Sequence, residues 1–128
     1  MSAAERLQGV FGRFPWVESA WLYGSRARGQ ARPDSDWDVG VLLSGAPPAS
    51  ALEELQEAVE DAVHGEVSLA VLNRADSLLC REVLDGQLLL RRNPEVHAVF
   101  VSKVCRLAED EHLRLQRGLR WWREHQTG

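Results

Sequence analysis

Apolar and polar positions alternate along this chain in two periods, and helix and strand are predicted to alternate from end to end. Leu7, Val10, Phe11 and Phe14 recur at helical spacing and predict a helix over residues 3–14, closed by Pro15. The segment VESAWLYG then runs at strand period to Gly24. A short helix is predicted from Ser25 to near Gly29, and GQARPDS reads as loop. From Asp36 to Leu43 the period is two again. Trp37, Val39, Val41 and Leu43 share one face, while Asp36, Asp38, Gly40 and Leu42 share the other.

Past the turn-rich SGAPPAS, Ser50 and Glu53 have the spacing of a capping box. The helix they would open carries Leu52, Leu55, Val59 and Val63 on one stripe and stops at Gly65. In EVSLAVLN, Val67, Leu69 and Val71 alternate with Glu66, Ser68 and Ala70, which predicts a strand. A helix over residues 77–85 ends at Gly86, and QLLLRR reads as a short strand. Asn93-Pro94 supplies an N-cap and a first-turn proline for a final helix with Phe100, Val104, Leu107, Leu115, Leu119 and Trp122 at helical spacings. Unbroken to residue 123 it would run roughly 45 Å, longer than so small a domain is wide, so its far end bends or projects. The fold class expected is α/β (α+β): a small mixed β-sheet packed by helices, with a long C-terminal helix.

With 128 residues, one domain is expected, a core over 1–92 carrying a helical extension over 93–128. A net charge of -4 argues against direct DNA binding. Cys80 and Cys105 lack metal-ligand spacing and read as reduced packing thiols. No apolar run approaches the ~20 residues that span a bilayer, and no secretory core is visible near Met1, so a cytoplasmic location without membrane contact is expected. His64 falls at a helix end, and His97, His112 and His125 lack ligand spacing. Trp121 and Trp122 point about 100° apart on a helix, so one apolar stripe cannot take both.

Chemistry concentrates in LYGSRARGQARPDSDWDVGVLL, residues 22–43. Gly24-Ser25 is followed, ten residues on, by Asp36-Trp37-Asp38. Gly24 allows a tight turn and close backbone approach. Ser25, at a helix start, is placed to bind phosphate with its hydroxyl and the local N–H groups. Asp36 and Asp38, two apart on a strand, present carboxylates to one side, a donor set suited to magnesium. Arg26, Arg28 and Arg32 could screen a triphosphate. Asp34, between Pro33 and Ser35, belongs to the loop, and Trp37 to the core. No Walker-type phosphate loop occurs.

This stretch resembles the active-site signature of the DNA polymerase β-like nucleotidyltransferase superfamily. With the later VSLAVLNRADSLLCREVLDGQLLLRR, the chain resembles the minimal nucleotidyltransferases, many of which are antitoxins paired with HEPN-domain toxins. The resemblance covers residues 17–92. It implies a nucleotidyltransferase fold in which Gly24 and Ser25 hold the phosphates of ATP and Asp36 and Asp38 hold Mg2+ in a two-metal site. The reaction implied is AMP transfer to a hydroxyl, which in the antitoxin branch belongs to a tyrosine of the partner toxin.

The family pattern has a third carboxylate on a neighbouring strand, and here Ser68 stands at that position. Serine is a poor base and a poor ligand for a hard cation. Glu66, two residues earlier on the same face, is the candidate replacement, with Ser68 left as a nucleotide contact. Two alternatives stay open: a catalytically degenerate antitoxin that acts by binding its toxin, and a small-molecule nucleotidyltransferase, for which the chain is short.

Overall fold

The computed structural model describes residues 1–124, without the side chains of residues 108, 111 and 112. His125 and the side chain of His112 lie outside the described residues. Nine elements follow one another: α1 (Ala3–Gly12), β1 (Val17–Tyr23), α2 (Gly24–Ala27), β2 (Trp37–Leu43), α3 (Ala49–Val63), β3 (Val67–Val71), α4 (Ser77–Leu84), β4 (Gln87–Arg91) and α5 (Pro94–Glu124). This is the predicted alternation. Ser2 caps α1 in a reciprocal pair with Glu5. Asn93 Oδ1 accepts from the N–H groups of Glu95 (3.0 Å) and Val96 (3.3 Å) at the start of α5.

One expectation fails at α3. The helix begins at Ala49, with Pro48 as its extended N-cap, so Ser50 lies inside the first turn and the capping box with Glu53 does not form. Proline, with its φ already fixed and no N–H to satisfy, starts the helix two residues earlier than the serine would.

The four strands lie in the order β3-β2-β1-β4. β1 pairs antiparallel with β2 and with β4, while β2 and β3 run parallel, connected through α3. The sheet separates two apolar cores. On one face Leu7 and Phe11 of α1 and Leu55 and Val59 of α3 pack on Val17, Val39 and Val41. On the other, Cys80 and Val83 of α4 and Val104 of α5 pack on Trp21, Tyr23 and Leu42. At Gly40 α4 comes close to the sheet, since a Cβ there would press into Val83. Trp37 is half-buried against the first core rather than sealed within it.

α5 runs unbroken over 31 residues, and only its first part packs on α4 and β1. Contact with the body of the fold continues to Cys105, which Arg81 of α4 reaches at 3.5 Å, and Leu107. Leu115, Leu119, Trp121 and Trp122 are all more than half exposed. Both cysteines are free thiols, and burial pushes Cys80 up from its ordinary pKa.

Candidate active site

The site forms where β1 ends and β2 begins. β1 delivers the chain to Gly24, whose φ of 72° is open to glycine at little cost. The chain then makes one helical turn, α2, which starts at Gly24 rather than Ser25 and is four residues long. So short a helix has little macrodipole, and what it offers an anion is backbone N–H groups and proximity. Gly24 also lies directly against Asp38: a Cβ on Gly24 would collide with the Asp38 carboxylate. The turn and the second aspartate therefore sit in one locus, as their spacing suggests.

Asp36 is exposed and precedes β2, while Asp38 is half-buried within it. Across the sheet, Asp38 is in register with Tyr23 of β1 on one side and Ser68 of β3 on the other. Burial pushes the Asp38 carboxyl above its ordinary pKa, the charges of Asp36 and Glu82 add to this, and Arg28 acts the other way. Tyr23 is raised too, by burial and then by Asp38 and Glu82. Acids perturbed by burial and by a neighbouring charge, beside a cleft, are a common mark of functional sites.

Two clefts open beside these aspartates. The first, of about 460 Å3, is lined by Gly24, Ala27, Arg28, Glu82, Asp85, Gly86 and Gln87. The second, of about 380 Å3, is lined by Arg26, Asp36, Trp37, Glu66 and neighbouring loop residues. The arginines divide accordingly. Arg28 faces the Gly24 cleft. Arg26 is engaged elsewhere: its guanidinium lies 4.4 Å from the Trp37 ring centroid, and Nη2 donates to the carbonyls of Ser35 (2.7 Å) and Pro33 (3.3 Å). These contacts hold the arginine-rich loop against β2, and Arg26 lines the second cleft beside Asp36. Arg32 is exposed in that loop, as is Asp34.

Glu66 lies just before β3, in the second cleft, and its carbonyl accepts from the N–H of Trp37 (2.9 Å). Ser68 is exposed beside Asp38. Among the described residues, no three His, Cys, Asp or Glu side chains converge as a metal-ligand set. Glu82 is the acidic residue that sequence reasoning passed over. The helix that carries it was legible, but which flank of α4 looks onto the sheet depends on how the helix is rotated against it.

A glycine turn laid against paired aspartates, on adjacent strands of a mixed sheet with helices on both faces, defines the core of a nucleotidyltransferase. Residues 5–95 match the polymerase beta nucleotidyltransferase family, and the chain belongs to it. It is 26% identical over 103 residues to the protein adenylyltransferase MntA of Shewanella oneidensis, an alignment spanning 80% of this chain and 73% of that one. Its fold is similar to that of a toxin–antitoxin crystal structure with AMP-PNP (TM-score 0.72, 23% identity, 91% of this chain and 93% of that one). It is also similar to a chain from the complex of the tri-AMPylated Shewanella oneidensis HEPN toxin with its MNT antitoxin (TM-score 0.63, 20% identity, 91% and 93%). Among the described residues, no helix is long and apolar enough to cross a membrane.

Proposed function

We propose that this nucleotidyltransferase moves the AMP group of ATP onto a hydroxyl, that of a tyrosine on a HEPN-type toxin partner, and so acts as an antitoxin. The observation that supports this reading is the apposition of the Gly24 turn and the Asp38 carboxylate, two groups that one triphosphate could span. The similarity to a protein adenylyltransferase supports the choice of adenylyl group and of a protein acceptor.

In this reading Gly24 and Ser25 hold the outer phosphates through backbone N–H groups and the serine hydroxyl. Arg28 offsets their charge from the cleft wall. The hydroxyl oxygen bonds to the α-phosphorus, the bond from that phosphorus to the bridging oxygen breaks, pyrophosphate leaves, and the hydroxyl proton passes to solvent. Asp36 and Asp38 are the residues that would hold Mg2+, and their crowded negative charge fits a divalent ion. When bound, such ions supply neutralisation of the phosphates and a lowered pKa for the attacking hydroxyl. Ser68, beside Asp38, cannot take up the hydroxyl proton at neutral pH.

That serine favours one second reading, an antitoxin that silences its toxin by binding alone. A single pair of substitutions separates the two. With Asp36→Asn and Asp38→Asn together, the enzyme reading expects loss of the adenylyl mass increment on the toxin and loss of neutralisation, at least a hundredfold in rate. If neutralisation persists while the increment is absent even with the unsubstituted chain, binding is the mechanism.

A further inference from the structure

The last turns of α5 carry an apolar face on an exposed helix. Every residue from Leu113 to Glu124 is exposed. Leu115, Gly118, Leu119 and Trp122 recur at helical spacing and so share one side. With Arg114 they line an open apolar groove of about 560 Å3. A helix end in water keeps its shape mainly by burying such a face. Gly118 lies in the middle of the groove, and no neighbouring group among the described residues stands within 4 Å of the place a Cβ would take. Glycine is a poor helix former, and what it offers here is room for another backbone to come close.

The charges on this stretch are sorted along the helix. Glu109 and Asp110, both exposed, precede the groove, and Arg114, Arg117, Arg120 and Arg123, also exposed, run through and past it. Two such helices laid side by side in the same direction would set like charge against like. Laid antiparallel about a two-fold axis between Leu115 and Gly118, they put Leu115 of each copy over Gly118 of the other. The same pairing brings Glu109 and Asp110 of each copy alongside Arg120 and Arg123 of the other, once on each side of the axis.

We infer that the last turns of α5 are a homodimerisation surface, covered by a second copy of this chain in an antiparallel helix pair. A two-fold contact needs a self-complementary surface, and this one helix carries the apolar groove and both signs of charge in the order that pairing requires. No residue lining the groove lines either cleft beside the aspartates. The inference therefore stands apart from the reading of the chain as an adenylyltransferase.

The test is sedimentation velocity of the whole chain, without any toxin, over a range of concentrations. The unsubstituted chain should pass from monomer to dimer as its concentration rises through the micromolar range. Leu119→Glu should raise the dimer dissociation constant at least roughly tenfold. Reversing the acidic end (Glu109→Arg with Asp110→Arg) or the basic end (Arg120→Glu with Arg123→Glu) should each weaken self-association by roughly tenfold. An equimolar mixture of these two variants should associate again, as a heterodimer, which a loss caused by misfolding would not allow. A chain that stays monomeric throughout overturns the inference, and so does a dimer that withstands Leu119→Glu. Charge-reversed variants that stay apart when mixed overturn the antiparallel pairing. A groove protected only when a toxin is added, on a chain otherwise monomeric, overturns the second copy as occupant in favour of the toxin.

Discussion

At Asp38, burial and the charges of Asp36 and Glu82 press the carboxyl above its ordinary pKa, and Arg28 relieves only part of that pressure. A raised folded-state pKa means that the ionised side chain is less stable folded than unfolded at neutral pH. That cost fades as pH falls through the raised value and is gone once the carboxyl is protonated in both states. Asp38→Asn, free of metal and nucleotide, should therefore raise the melting temperature at pH 7, on the order of a few degrees for a chain of this size. The gain should shrink as the pH approaches 4. Thermal unfolding in chelator at several pH values checks both points, and a destabilised variant would show that Asp38 is held by interactions favouring its charge. At this scale the meeting of Gly24 and Asp38 was legible. Gly24 and Asp38 declared themselves by residue type and spacing, because a tight turn and a paired carboxylate each need particular chemistry. Arg26 did not, since its task depends on Trp37 and on loop carbonyls that only folding brings beneath it.

α5 is fastened to the sheet at its first turns by one polar contact among apolar ones. The Ser19 hydroxyl, 1% exposed, lies 3.0 Å from His97 Nδ1, and the His97 ring stacks on Trp21 at 5.4 Å between centroids. Burial and the charge of Arg91 push His97 below its ordinary pKa, so the folded state favours the neutral ring. The unfolded chain takes up a proton first as pH falls. This contact's contribution is thus full above about pH 6.5 and declines below it, until the folded-state value is passed. His97→Phe keeps the stacking but cannot titrate. It should lose about 1–3 kcal/mol at neutral pH, because Ser19 is left without a partner, and its stability should stay flatter than the unsubstituted chain's between pH 7 and 5. Denaturant unfolding across that range decides the matter, and equal slopes would remove His97 from the account. The element itself was predictable from Asn93-Pro94 and its apolar spacing. The Ser19–His97 pair was not, because it joins residues 78 apart in sequence through a strand register that no local pattern encodes.

Taken whole, the molecule is a mixed sheet between two cores, with the candidate site at one end where β1, α2, β2 and β3 meet. The order of elements could be read from hydrophobic periodicity alone, since each buried face imposes its period locally. Strand order, the parallel β2–β3 pair and the approach of α4 to Asp38 could not, since they follow from how the two cores fill. This end of the sheet carries the central claim, AMP transfer from ATP to a protein hydroxyl, and the fate of each phosphate of ATP tests it most directly. The chain should be incubated with its cognate toxin, Mg2+ and ATP labelled at either the α- or the γ-phosphate. The account predicts stable label on the toxin from the α position and none from the γ position. Label arriving from the γ-phosphate, or from neither position while the toxin is nonetheless silenced, would contradict it.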